Sequence, residues 1–211
     1  MSEKSTNKYA IVDLEATSAS STACIIQVGI VIMQNGRVID EFASDVNPHQ
    51  KLDNHIVHLT GITDQQLSQA PDFSEIARTI FELIEDCIFV AHNVKFDANL
   101  LAEALFMEGF ELRTPRVDTV ELAQVFYPTL EQYNLSYLSR VLNLDLAQAH
   151  TAIEDARATG KLLLHLMDKI ASLPRQTIDM LLTFSDNLLF ESELVIRDAI
   201  KGKTNSLSKE Y

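Results

Sequence analysis

Two acidic residues, Asp13 and Glu15, stand in an apolar stretch typical of a buried strand, YAIVDLEATS at residues 9–18. Side chains alternate along a strand, so both carboxylates are expected on the same face. Neighbouring carboxylates in a dry interior repel each other and lose hydration, so they need protons, bases or a cation. The alternative is that the strand ends in solvent and both acids are hydrated.

Two further acids lie on helix faces that the apolar periodicity predicts to be buried. Asp97 shares the face of Leu101, and Asp155 shares the face of Ala156. Helical side chains lean toward the N-terminus, so Asp155 leans toward the helix start, where His150 stands. The acids are therefore expected at strand ends and helix starts, where they can meet.

Together these four carboxylates and one histidine predict a metal-dependent hydrolase. A cluster of carboxylate oxygens suits hard divalent cations such as Mg²⁺ or Mn²⁺. Two such ions about 4 Å apart cleave phosphodiester bonds in many enzymes. His150 is then the expected general base for the attacking water, because its pKa lies near working pH. Its alternative is a surface histidine at a helix start.

The elements that must hold these residues predict an α/β chain with a mixed sheet. The first three predicted strands cover residues 8–15, 24–33 and 38–46, and Asn35-Gly36 predicts a hairpin between the second and third. Predicted capping boxes at Thr63–Gln66 and Asp72–Glu75 start two helices. Further strands are predicted at 87–91 and before Asp118, and further helices at 94–108, 119–126, 135–142 and 151–169.

The overall charge conflicts with a nucleic acid partner. Lys and Arg total 17 and Asp and Glu total 30, a net charge of −13. Nucleic acid binding usually draws on an excess of basic residues, whereas an acidic chain suits cation binding. The start of the chain has no apolar signal segment and no run is long enough for a membrane span, so we expect a cytoplasmic protein that does not enter membranes. Cys24 and Cys87 are expected to be free thiols.

Three ordered motifs resemble those of DnaQ-like 3′–5′ exonucleases of the DEDDh class. They are DLEATS at 13–18, HNVKFD at 92–97 and HTAIED at 150–155, and the stretch HLTGITDQQL at 58–67 is similar to the family segment between the first two. The resemblance covers about residues 8–170 and implies an RNase H-like fold. It also implies metal and catalytic roles for five residues: Asp13, Glu15, Asp97 and Asp155 as ligands of two divalent cations, and His150 as general base.

The same resemblance implies where the 3′-terminal nucleotide binds. The backbone from Glu15 through Ala16 to Thr17 would hold it, with Leu14 and Phe96 as apolar contacts and Asn93 as a further contact. This sequence departs from the usual D-x-E-T-T-G pattern, because Ala16 replaces a Thr and Ser18 replaces the Gly. Neither departure touches a metal ligand, so activity is expected to survive with a looser hold on the 3′ end.

The chain looks most similar to the exonuclease part of DinG-type helicases of Gram-positive bacteria. Residues 1–171 would form the exonuclease domain, and residues 172–211 a helical extension that could lead into a covalently linked helicase region. The expected substrate is single-stranded or mismatched DNA, degraded to nucleoside monophosphates. An RNA exonuclease and a non-catalytic binding module of the same fold are the alternatives. Few phosphate contacts would suffice at one end of a strand. The nearby bases Lys95, Arg157 and Lys161 could add positive charge there, and the alternative is that each lies on a solvated face.

Overall fold

The computed structural model describes residues 7–18, 20, 22–144 and 151–207, and it forms one mixed five-stranded sheet flanked by helices. The strands are β1 (Lys8–Ala16), β2 (Ile25–Gln34), β3 (Arg37–Asp45), β4 (Ile88–Ala91) and β5 (Arg116–Asp118). The helices are α1 (Asn54–Thr60), α2 (Asp64–Leu67), α3 (Phe73–Ile84), α4 (Val94–Met107), α5 (Thr119–Phe126), α6 (Leu135–Val141), α7 (Ala152–Ser172), α8 (Arg175–Phe184) and α9 (Glu193–Leu207).

The strand order is β3-β2-β1-β4-β5. β2 is antiparallel to both β1 and β3, while β4 and β5 continue the sheet parallel to β1. This arrangement confirms the predicted α/β class with three antiparallel strands at the start. The hairpin between β2 and β3 turns at Asn35 and Gly36, whose φ angles are both positive, as the Asn-Gly pair predicts.

Each face of β1 belongs to a different core. Ile11 packs with α7 residues such as Leu162 and Leu163, whereas Val12 packs with α3 and α4 residues such as Ile80 and Leu101. The alternation of side chains continues past these residues to the end of the strand. Asp13 and Glu15 therefore lie on the face that α7 covers.

One of the two predicted capping boxes forms and the other does not. At the start of α3, the Asp72 N–H donates to Glu75 Oε2 at 2.8 Å, which confirms that box. At the start of α2, Thr63 Oγ1 accepts from the Gln66 N–H at 3.3 Å, but the Gln66 side chain donates to Asp45 Oδ2 instead of returning to Thr63. The prediction of a full box at Thr63 is wrong because a partner on β3 takes the Gln66 amide.

The segment after α7 packs on the sheet and on α7. Val195 and Ile196 of α9 are buried in the same core as Ile11. The Tyr9 hydroxyl donates to Asp198 Oδ2 at 2.6 Å, and burial together with this carboxylate raises the pKa of Tyr9. Within the described parts of the chain, no helix has both the length and the apolar character needed to cross a bilayer.

Candidate active site

Three of the predicted acids converge where β1 ends and α7 begins. One carboxylate oxygen from each of Asp13, Glu15 and Asp155 lies within 4.8 Å of the others. β1 presents the first two from alternate positions, and the first turn of α7 presents the third. The Asp155 N–H donates to the Thr151 carbonyl at 3.0 Å, so this turn is closed as a regular helix. Residues 140 positions apart in sequence thus form one cluster.

Asp97 lies beside this trio and is held by the backbone of β1. Its side chain is 5% exposed on the buried face of α4, as the periodicity predicts. Asp97 Oδ1 accepts from the Leu14 N–H at 3.0 Å. Burial raises the pKa of Asp97 to about 7, although that hydrogen bond opposes the shift. The bond fixes α4 against the strand that carries Asp13 and Glu15.

The cluster concentrates negative charge in a poorly hydrated place. Burial raises the pKa of Asp13 well above its usual value, and the charges of Asp97, Asp155 and Glu15 add to the effect. Carboxylates so placed bind protons, or a cation that offsets their mutual repulsion. The donor set is made of oxygen atoms only, which fits Mg²⁺ or Mn²⁺ better than softer ions.

The predicted general base, His150, lies outside the described residues, so its role stays a prediction. The chain on its C-terminal side is described, and Thr151 is the N-cap residue of α7.

At the end of β1, the residues predicted to hold a nucleotide differ in accessibility. Leu14 is 6% and Ala16 is 8% exposed, so little of either side chain can contact a ligand. Thr17 is partly exposed, and its Oγ1 accepts from the Cys24 N–H at 3.0 Å and from Gln50 Nε2 at 3.3 Å. With both acceptor positions used, the Thr17 hydroxyl can offer its proton to a ligand.

At the start of α4, Asn93 is exposed and Phe96 is half-buried. Asn93 has a φ of 75°, a left-handed conformation that Asn tolerates better than most residues. Asp118 stabilises this turn, because its carboxylate accepts from the N–H groups of Asn93 at 3.0 Å and Val94 at 3.3 Å. The turn presents both predicted contacts near Asp97.

Two supporting residues near the site are not among the predicted functional residues. Asp118 is predicted only as a strand end, yet its position directly before α5 carries the signal of an N-cap, and it accepts from the Val120 N–H at 2.8 Å. Gln27 is absent from the predicted site. A polar residue within the apolar run IIQVGIVIM of β2 was the available signal.

One predicted base near the site is not free. Arg157 donates to Glu41 at 3.0 Å through Nε and also pairs with Glu154. These two ion pairs favour the alternative that Arg157 lies on a solvated face, and a contribution of its charge to substrate binding stays a prediction.

Comparison with known proteins assigns the class. The RNase T family model, described as Exonuclease, matches residues 10–163. The chain belongs to this exonuclease family, and the predicted resemblance to DnaQ-like exonucleases is confirmed. The chain is 38% identical over 185 residues to a protein named 3′–5′ exonuclease DinG of Staphylococcus aureus (strain USA300). That match covers 87% of this chain and 21% of the relative, so the chain spans about a fifth of the relative's length.

Two solved structures confirm the predicted RNase H-like fold. Exonuclease X in complex with 5′ overhanging duplex DNA has a TM-score of 0.62 at 20% identity, covering 76% of this chain and 91% of that one. The nuclease domain of 3′hExo, described as a DEDDh family member bound to rAMP, has a TM-score of 0.66 at 16% identity. It covers 78% of this chain and 94% of that one.

Proposed function

We propose that this chain is a divalent-metal-dependent 3′–5′ exonuclease that releases nucleoside monophosphates from the 3′ end of single-stranded or mismatched DNA. The observation that carries the proposal is the convergence of Asp13, Glu15 and Asp155, with Asp97 beside them. The relative from Staphylococcus aureus carries the name 3′–5′ exonuclease, which supports the polarity.

Four carboxylates would hold two cations, Mg²⁺ or Mn²⁺: Asp13, Glu15, Asp97 and Asp155. When bound, such ions lower the pKa of a water molecule and offset the charge that grows on the phosphate. The clustered acids fit this role because bound cations would offset the repulsion between the carboxylates, which could then stay charged without taking up protons. The Leu14 N–H holds Asp97 Oδ1 in place, which leaves that side chain little freedom to move away from β1.

The residues around the acids would bind and orient the end of the strand. The Thr17 hydroxyl can donate to the terminal nucleotide, and the backbone of residues 15–17 lies alongside it. Asn93 and Phe96 would contact the same nucleotide from the start of α4. We keep His150 as the group that takes a proton from the attacking water, since an imidazole titrates near neutral pH.

An RNA exonuclease is the second candidate, because the similar nuclease domain of 3′hExo is described as bound to rAMP. The two candidates differ in whether a 2′-hydroxyl fits beside the nucleotide contacts. We further propose a cytoplasmic location, and a helicase region linked to this chain, because the relative extends far beyond the matched segment.

The test uses oligonucleotides of DNA and of RNA, labelled at either end, with Mn²⁺ or with EDTA. Shortening from the 3′ end is expected with Mn²⁺, and none with EDTA or in Asp13→Asn. The matched control is Asp86→Asn, the same change at an exposed site, which should keep wild-type rates. No shortening of either polymer with Mn²⁺ would contradict the proposal and favour a binding module.

A second variant tests the proposed general base. His150→Ala should retain Mn²⁺ binding, measured by titration calorimetry, while kcat falls by about 100-fold or more. The matched control is the exposed His55→Ala, which lies outside the proposed machinery. Wild-type turnover in His150→Ala would remove His150 from the reaction.

A further inference from the structure

We propose that Gln27 is a positioning residue that holds the first turn of α7, and with it Asp155, against the end of β1. The inference rests on the proposed function, because it takes Asp155 as a metal ligand. Gln27 lies on β2 directly opposite Glu15 of β1. It thus stands between one carboxylate of the cluster and the helix that supplies another.

The contact itself is a cap supplied from a distant part of the chain. The Ala152 N–H, at the first position of α7, donates to Gln27 Oε1 at 2.8 Å. The first N–H groups of a helix have no partner within the helix. Thr151, the N-cap residue, makes no side-chain capping bond, so Gln27 provides what the local sequence does not.

The orientation of the Gln27 amide is fixed from its other side. Gln27 Nε2 donates to Asp45 Oδ1 at 2.7 Å, and Asp45 Oδ2 accepts from Gln66 Nε2 at 2.7 Å. A carboxylate accepts hydrogen bonds and cannot donate them, so the amide nitrogen must face Asp45 and the oxygen must face Ala152. A continuous chain of hydrogen bonds thus runs from α2 through β3 and β2 to α7.

The close approach of the two backbones fixes the distance between the start of α7 and β2. Gly29 follows two residues after Gln27 on the same face of β2, and a Cβ there would lie 2.2 Å from the Ala152 carbonyl carbon. The first residue of α7 therefore packs directly on the backbone of β2, and the hydrogen bond to Gln27 orients this helix start. Asp155 lies in the same first turn of α7, three residues after Ala152, and metal ligands tolerate errors of about 0.2 Å. A small rotation of this turn would misplace its carboxylate.

The variant that tests the inference is Gln27→Met, which keeps the length of the side chain and removes both hydrogen bonds. Its matched control is Gln124→Met, the same change at an exposed position on α5. Amide hydrogen exchange of the metal-free chain is measured first. We expect Ala152 to exchange at least tenfold faster in Gln27→Met, while Leu162 and Leu163 in the middle of α7 keep their rates. Unchanged exchange at Ala152 would overturn the inference.

Calorimetric titration with Mn²⁺ and steady-state kinetics then separate positioning from simple support of the fold. Gln27→Met should bind Mn²⁺ about tenfold more weakly and show a similar loss of kcat, with an unchanged KM for the oligonucleotide and near wild-type melting without metal. If Gln27→Met does not fold, Asp45→Ala replaces it, because it frees the Gln27 amide to rotate. Asp45→Ala should change both quantities in the same direction.

The outcomes also distinguish this inference from the proposed function. Faster exchange at Ala152 with unchanged Mn²⁺ affinity and kcat would overturn the positioning role and leave the exonuclease proposal intact. A wild-type chain that neither binds Mn²⁺ nor shortens oligonucleotides would overturn the proposed function. The proposed role of Gln27 in positioning a metal ligand would then be overturned as well.

Discussion

At the scale of single residues, the acids of the site are costly to keep charged. Asp97 has a pKa of about 7 against an ordinary value of 3.8, because burial disfavours its charged form. The pKa of Asp13 is raised as well. A raised carboxyl pKa contributes stability below the unfolded value, and this contribution is lost as pH rises through the folded value. The window for Asp97 runs from about pH 4 to about pH 7.

We therefore predict that the metal-free chain loses stability as the pH rises from 5 to 8, and that Asp97→Asn weakens this loss. The Asn side chain keeps an oxygen for the Leu14 N–H but carries no charge, so in EDTA at pH 8 the variant should melt several degrees above wild type. Thermal melts followed by circular dichroism measure this, since the chain has no Trp. Glu103→Gln, at an exposed position of α4, is the matched control.

The same melts, repeated with Mn²⁺ and compared between wild type and Asp97→Asn, can contradict the prediction for Asp97. Added Mn²⁺ should stabilise wild type more at pH 8 than at pH 5, because protons no longer compete for the carboxylates. Parallel pH profiles for wild type and Asp97→Asn would mean that Asp97 is not titrating in this range.

The identity of the acidic residues in the site can be predicted from strand alternation and helical periodicity. Strand alternation places Asp13 and Glu15 on one face, and helical periodicity places Asp155 beside Ala156. The bond from Leu14 to Asp97 joins residues 83 positions apart, so it depends on how β1 and α4 pack. The site therefore could be predicted as a set of acids, whereas the contacts that hold them could not.

At the scale of elements, the approach of α7 to β2 sets the geometry of the site. Gly29 allows this approach, because any side chain there would meet the backbone of Ala152 and Ile153. A Cβ added at Gly160, further along α7, would lie 3.0 Å from the sulfur of Met33, an atom near the flexible end of a side chain. The two glycines therefore face very different neighbours.

We predict that Gly29→Ala is destabilising and inactivating, whereas Gly160→Ala is tolerated. The first change forces α7 away from β2 at a cost of about 1–3 kcal/mol in unfolding free energy, and it moves Asp155. The second gains helix propensity of about 1 kcal/mol, which offsets the shift of Met33. Urea unfolding and exonuclease rates measure both. Equal behaviour of the two variants would mean that α7 can slide on the sheet.

Elements with local signals could be predicted well, and those set by distant partners could not. Asn35-Gly36 forms its turn because both positions favour positive φ, and α5 occupies residues 119–126 as the pattern indicates. Gln66 has the correct spacing for a capping box, but its side-chain amide donates to Asp45 instead of returning to Thr63. The spacing of residues in the sequence carries no information about a competing hydrogen-bond partner on another strand.

At the scale of the whole molecule, the segment after α7 closes the edge of the sheet. The Glu191 N–H donates to the Arg116 carbonyl at 2.9 Å, and the Arg116 N–H donates to Glu191 Oε2 at 2.8 Å. Glu121 accepts from the Leu189 N–H and from the Ser192 hydroxyl, both at 2.6 Å. The two bonds between Arg116 and Glu191 use backbone groups of β5 that would otherwise remain open at a sheet edge, and the bonds to Glu121 hold the same segment against α5.

We predict that residues 1–173, which include all the family motifs, do not form a stable protein by themselves. Each buried aliphatic side chain contributes about 1.5–3 kcal/mol, so losing Val195 and Ile196 costs about 3–6 kcal/mol. That loss is comparable to the total stability of a typical domain, about 5–15 kcal/mol. Circular dichroism melts and size-exclusion chromatography should show an unfolded or aggregated chain. Residues 1–201, which keep the Tyr9–Asp198 bond, are the matched control and should melt like the full chain. A cooperative melt of residues 1–173 near the wild-type temperature would instead mean that the first 173 residues fold independently and that the extension is an appendage.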